Sequence, residues 1–179
     1  MFDNPFIFGK VRTQEALNDK YLISKSTYRF KSDKNSYLAE AEHYKGNIFI
    51  IKYFLKKHQS NNKRFNLLTH EFNCSRTVST CIHIMLSILK KNQTASFGFM
   101  GAHTINLAER FEEQRSNTKR FRIYKYAIEE LIGTESFTHF MNEENSTYLL
   151  VNNKVESIDL LSANADNMFI DIYPQLAGI

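Results

Sequence analysis

Between Tyr28 and Phe72 short apolar runs alternate with polar turns. "STYRF", "YLAEAEHY", "NIFIIKYFLKK" and "RFNLLTHEF" are rich in aromatic and β-branched residues, and "KSDKNS", "KGN" and "HQSNNK" separate them. Alternation of this kind predicts strands, and Gly, Asn, Ser and Asp between them predict turns, so an antiparallel meander is expected. Lys45-Gly46-Asn47 is the tightest connection and predicts a hairpin.

The period then changes. In "SRTVSTCIHIMLSILKKNQ" the residues Val78, Cys81, Ile82, Met85, Ile88 and Leu89 recur at steps of three and four, and Lys90 and Lys91 follow where a helix end favours cations. A first helix is expected over about 76–91. "TASFGFMGA" reads as a buried central strand approached closely at Gly98 or Gly101. The polar "HTINLAERFEEQRS" suggests at most one short helix. A second helix follows over 118–132, with Phe121, Tyr124, Ala127, Ile128 and Leu131 inward, Lys119, Arg122 and either Lys125 or Tyr126 outward, and Gly133 as its stop. "FTHFM" and "STYLLVN" predict a closing strand pair across "NEEN". The last segment, 154–179, shows no clear period and is expected to be mostly irregular, and the first 27 residues receive no element.

Strands, a helix, a strand, a second helix and a strand pair give an α/β (α+β) fold in which a mixed, mostly antiparallel sheet is flanked by helices, because each helix must return the chain to the same sheet. A chain of 179 residues suits a single domain with one well-buried core, and 42% hydrophobic residues with 15 Phe and 9 Tyr suit a globular one.

Charge adds a direction. Residues 155–179 hold Glu156, Asp159, Asp166 and Asp171 and no Lys or Arg, so all 23 basic residues and 15 of the 19 acidic ones lie in the first 154. A body with a basic surplus of eight attracts anions, whether cofactor phosphates or nucleic acid. The two cysteines, Cys74 and Cys81, do not suggest a disulfide framework. No apolar run approaches the ~18 residues of a membrane span, and "MFDNPFIFGKVR" has no signal-peptide pattern, so a soluble, cytoplasmic protein is expected with no membrane partner. His70, Cys74, Cys81 and His83 have no familiar zinc spacing, and Cys81 and His83 diverge by about 200° on a helix, so no metal site is expected.

Two local motifs carry a resemblance. Arg76-Thr77-Val78-Ser79-Thr80-Cys81 falls where the first helix opens, and Asn117 is followed seven residues later by Tyr124 on the second helix. With the order of elements, these resemble the GNAT acyltransferase superfamily over residues 28–152: its R/Q-x-x-G-x-G/A loop lies on 76–81, with Ser79 and Cys81 in place of glycines, and its Asn and Tyr lie on Asn117 and Tyr124.

The resemblance implies an N-acyltransferase that takes acetyl-CoA or another acyl-CoA and an amine acceptor of unknown identity. Amides at the opening of the first helix, over Arg76, Thr77, Val78, Ser79, Thr80 and Cys81, would hold the diphosphate. Strand amides near Phe72 to Cys74 would hold the oxyanion, Glu71 would serve as base, and Tyr124 would protonate the leaving thiolate. Arg120, one turn before Tyr124 on the same side, would reach a cofactor phosphate at the cleft mouth. The alternative reading is a non-catalytic binding module for nucleic acid or a protein partner. Its face would be the basic residues Arg115, Lys119, Arg120, Arg122 and Lys125 with Lys52, Lys56, Lys57, Lys63 and Arg64.

Overall fold

A computed structural model describes residues 4–174. Four strands open the chain: β1 (Phe8–Glu15), β2 (Leu22–Lys31), β3 (Ser36–Tyr44) and β4 (Ile48–Leu55). They are followed by α1 (Cys74–Leu89), β5 (Ser96–Met100), a small hairpin of β6 (Ile105–Asn106) and β7 (Phe111–Glu112), and α2 (Lys119–Leu131). The strands β8 (Phe137–Asn142) and β9 (Thr147–Asn152) and the helix α3 (Ile158–Ile172) complete it. Seven strands form one sheet in the order β1-β2-β3-β4-β5-β9-β8, antiparallel throughout except for the parallel neighbours β4 and β5. The class is therefore the mixed, mostly antiparallel α+β sheet with helices that the sequence predicts.

Strand alternation divides the sheet into two faces. Tyr37, Ala39 and Ala41 of β3, Ile51, Tyr53 and Leu55 of β4, and Phe97 and Phe99 of β5 pack beneath α1 and α2. Ile48 and Ile50 of β4 and Leu149 and Val151 of β9 pack beneath α3 with Ala165 and Met168. The expected turn at Lys45-Gly46-Asn47 joins β3 to β4, with Gly46 at φ 80° and Asn47 at φ 58°. In α2 the inward stripe is as expected: Phe121, Tyr124, Ala127 and Ile128 are buried, Lys119, Arg122 and Tyr126 are exposed, and Gly133 follows at φ 62°.

Four expectations are corrected. "RFNLLTHEF" is not a strand: residues 59–73 are a connection whose β-pairing, among the described residues, is an isolated bridge between Leu67 and Ile105, and positive φ at His70 (57°) and Phe72 (52°) breaks any extended run. The segment after residue 153 is mostly helix, capped by the Ser157 hydroxyl accepting from the Leu160 amide at 3.3 Å. Its stripe of Leu161, Ala165, Met168 and Ile172 is interrupted by Ser162, which also faces inward. The first 27 residues contain β1, an edge strand exposed beyond Phe8 that is held by backbone pairing rather than by a buried face, and so shows no apolar alternation. "HTINLAERFEEQRS" forms β6 and β7 rather than a short helix, because Asn106 Oδ1 accepts from the amides of Ala108 (3.1 Å) and Glu109 (3.4 Å) and closes a turn.

One glycine fixes α2 against the sheet. A Cβ at Gly101 would stand 2.5 Å from Phe121 Cβ and 2.6 Å from both the Phe121 nitrogen and Thr118 Oγ1. The Gly101 carbonyl accepts from the Thr118 hydroxyl at 2.7 Å, and the same hydroxyl caps α2 by accepting from the Phe121 amide at 3.2 Å. This contact sets the first turns of α2, with Arg120 and Tyr124, beside the end of β5.

Candidate functional site

The parallel neighbours β4 and β5 are paired only at Ile48 with Ser96, Phe49 with Phe97 and Ile50 with Gly98. Beyond Ile50 the two strands no longer bond to each other, and a cavity of about 440 Å³ lies between them. Lys52 and Tyr53 line it from β4, Met100 to His103 from the end of β5, Arg120 and Tyr124 from α2, and Tyr173 from beyond α3. Consecutive strand residues point to opposite faces. Since Lys52 and Tyr53 both line it, the cavity passes through the thickness of the sheet at the point where the strands separate.

On the α1 and α2 face, Tyr124 is 2% exposed with its ring 5.1 Å from that of Phe99. Burial pushes the Tyr124 phenol well above its ordinary value, Cys81 and Tyr53 push the same way, and Arg120 opposes them. Tyr124 therefore stays a protonated donor. The Arg120 guanidinium lies 5.1 Å over the Tyr53 ring and donates to the carbonyls of Phe65 and, at 3.4 Å, Leu67. Burial works against its charge, but Tyr53 and the neighbouring Cys74, Tyr124 and Glu113 hold its pKa above the ordinary value. Among the described residues Arg120 is thus a buried cation without a carboxylate in contact, bonded to backbone oxygens, and it ties the 59–73 connection across one side of the cavity. The bridge is completed by Leu68 N to Ile105 O (3.0 Å) and Ile105 N to Asn66 O (2.8 Å).

On the α3 face, Lys52 Nζ lies 2.6 Å from Glu42 Oε2 and donates to the Tyr173 hydroxyl at 3.0 Å, and Tyr44 donates to the same Glu42 oxygen at 2.8 Å. Burial lowers the Lys52 pKa, but Glu42 and Tyr173 outweigh it, and the net direction is upward. His103, at the rim, pairs through Nε2 with Glu112 at 3.0 Å, and its Nδ1 lies 3.3 Å from the Asn66 amide nitrogen. With Arg115, the described lining residues include four basic side chains against the carboxylate of Glu144.

Of the residues singled out in the sequence, Tyr124 and Arg120 come together on this cavity, and Lys52 and Arg115 of the basic face also line it. Cys74 adjoins it, its sulfur 3.8 Å from the Tyr53 hydroxyl. Helix α1 begins at Cys74, so Arg76, Thr77, Val78, Ser79, Thr80 and Cys81 lie inside it rather than in a loop before it; the first intrahelical bond runs from Thr77 N to Asn73 O, and the amides ahead of it are those of Cys74, Ser75 and Arg76. Thr77, Val78, Ser79, Thr80 and Cys81 are buried. Burial raises the Cys81 thiol to about 12, partly offset by a hydrogen bond with Tyr124. Arg76 donates to the Asn4 carbonyl at 3.0 Å and covers the Phe6 ring at 4.1 Å.

Glu71 lies elsewhere. Its Oε1 accepts from Ser32 (2.9 Å) and Asn35, and its Oε2 accepts from Tyr37 (2.7 Å) and Asn73 (2.8 Å), tying the β2–β3 turn to the start of α1. Burial raises the Glu71 carboxyl, but these four donors outweigh it and leave it below its ordinary value. Phe72 is fully exposed, and Asn117 sits just ahead of α2 at the surface, donating to the Glu143 carbonyl at 2.7 Å. None of these three lines the cavity. The residues missed in the sequence are Tyr53, Glu42, His103 and Tyr173, and Lys52 was singled out only as part of a basic face. The available signal was the single lysine in the apolar run "NIFIIKYFL" beside the alternating glutamates of "YLAEAEHY".

Among the described residues no group of three or more His, Cys, Asp and Glu is placed to hold a metal ion, and no helix is long and apolar enough to cross a membrane. Comparison with known proteins finds no matching family, no matching curated protein and no matching solved structure. Fold and site together define an α+β protein whose mixed sheet opens between two parallel neighbours into a basic cavity.

Proposed function

We propose that the chain is an acyl-CoA-dependent N-acyltransferase of GNAT type, with the thioester in the gap between β4 and β5. The observation that carries this reading is the position of Tyr124: a protonated phenol, buried on a cavity that passes through the sheet, so that two substrates can approach one point from opposite faces. The neutral acceptor amine attacks the thioester carbonyl, the C–N bond forms as the C–S bond breaks, Tyr124 gives its proton to the departing thiolate, and the proton that the acylated nitrogen sheds returns to the Tyr124 oxygen. Arg120 and the amides of Cys74, Ser75 and Arg76 supply positive charge for the cofactor phosphates. Glu71 has no part in this scheme, because its carboxylate is committed to four donors outside the cavity. Calorimetric titration with acetyl-CoA tests the reading. Saturable binding with a micromolar Kd, about −8 kcal/mol, is the expected result, and no heat at ~1 mM ligand removes it.

A further inference from the structure

A second cavity, of about 230 Å³, lies on the other side of Met100, between α3 and the sheet. Its floor is the α3-facing side of β4, β5, β9 and β8, where Ile50, Leu149 and Phe140 point outward, and Phe169 of α3 covers it. The hollow exists because β5 has no side chain at Gly98, where a Cβ would come within 3.4 Å of Ile50 and 3.6 Å of Phe169. Two polar groups enter from α3. Ser162 and Asp166 are four residues apart, hence on one side of the helix, with Ser162 9% exposed and Asp166 at the open rim. Neither side chain has a hydrogen bond or ion pair to another described residue within the structure.

Among the described residues the lining contains no Lys, Arg or His, whereas the neighbouring cavity between β4 and β5 contains four such residues. One chain with a basic surplus thus carries two adjoining cavities of opposite preference, divided at Met100. An apolar hollow with the rings of Phe140 and Phe169 and one carboxylate at its edge suits a ligand with a flat apolar body and a single cationic head. Its volume, below the ~300 Å³ at which drug-sized sites begin, restricts that ligand to one ring and a short arm.

We propose that the cavity under α3 binds a small arylalkyl primary amine, its ring on Ile50, Phe140, Leu149 and Phe169 and its ammonium on Asp166 and Ser162. Burial raises the Asp166 carboxyl, the direction expected of a carboxylate partly withdrawn from water. The amine site stands on this cavity alone. Its identification as the acceptor site rests on the transferase reading, since Met100 lines both cavities and an amine held here lies next to the gap between β4 and β5.

The test is titration of the intact chain with 2-phenylethylamine, followed by amide and methyl NMR shifts, beside 2-phenylethanol, Asp166→Asn and, separately, acetyl-CoA. The expected result is saturable binding of the amine that shifts Gly98, Leu149 and Phe169, weakened tenfold or more in Asp166→Asn and in the alcohol. Absence of saturation at ~10 mM, or equal affinity of amine and alcohol for the wild-type chain, overturns the amine site. Amine binding without acetyl-CoA binding leaves the site standing and removes only its role as acceptor site; acetyl-CoA binding without amine binding removes the site and leaves the transferase reading intact.

Discussion

Lys52 and Tyr53 are neighbours on β4, point to opposite faces of the sheet, and line the same cavity. A continuous sheet does not permit this, because backbone hydrogen bonds between adjacent strands leave no passage. It becomes possible here because the parallel ladder ends at Ile50 and Gly98 while β4 runs on to Leu55.

The same opening buries a charge. Lys52 loses much of its water and keeps its proton through Glu42 at 2.6 Å. Lys52→Met alone strands Glu42 and is expected to cost about 3 kcal/mol or more, while Lys52→Met combined with Glu42→Gln costs less than the single change. Urea unfolding of the three variants measures both values. A Lys52→Met protein within about 0.5 kcal/mol of wild type contradicts a buried, coupled pair.

Gly101→Ala tests what positions the site. The new methyl meets Phe121 and the Thr118 cap at 2.5–2.6 Å, and neither can yield without moving α2. Overpacking and a weakened cap together predict a loss of about 3 kcal/mol, read as a fall in Tm, whereas Gly98→Ala within β5, with contacts of 3.4 Å and longer, is expected to be mild.

What the sequence discloses follows from how each element is held. Helix α2 was legible with its inward Tyr124 because the stripe of Phe121, Tyr124, Ala127, Ile128 and Leu131 is closed by Gly133, and the β3–β4 turn because Gly46 and Asn47 adopt positive φ. Strand β1 was not, since nothing beyond Phe8 is buried, and α3 was not, since Ser162 and Asp166 interrupt its apolar face at the second cavity. The connection 64–72 has a strand's composition, yet Arg120, 55 residues from Phe65, takes the carbonyls that a neighbouring strand would use. Strand divergence leaves no local mark at all: Ile51 to Leu55 stay paired with β3 and continue the pattern of Ile48 to Ile50 although β5 no longer pairs with them on the other side.

Glu71 gives the fold an acid-sensitive joint. Its carboxyl has an ordinary value of 4.5 and is held lower in the folded chain, so the unfolded chain binds more protons around that pH. Its stabilising contribution is complete above about 4.5 and declines as pH falls through the lower folded value. Glu71→Gln is therefore expected to be less stable than wild type at pH 7 and closer to it at the acid end, as followed by urea midpoints across pH. A difference between the two proteins that does not narrow on acidification rules out the ionised carboxylate as the stabilising form.

Tyr124→Phe separates packing from chemistry. The ring keeps its contact with Phe99, and the only loss is a hydroxyl whose neighbour is the Cys81 thiol, so stability should change by about 1 kcal/mol or less. If Tyr124 protonates the thiolate, the same change lowers kcat and kcat/KM together by tenfold or more, about 1.4 kcal/mol of barrier, with the Kd for acetyl-CoA nearly unchanged. The effect should shrink with an acyl thioester of a more acidic thiol, whose departing sulfur needs less help, and this dependence is one that a merely structural tyrosine does not produce. Equal kcat in Tyr124→Phe and wild type, in a protein that binds acetyl-CoA, removes Tyr124 as the acid and leaves the phenol as a wall of the cavity.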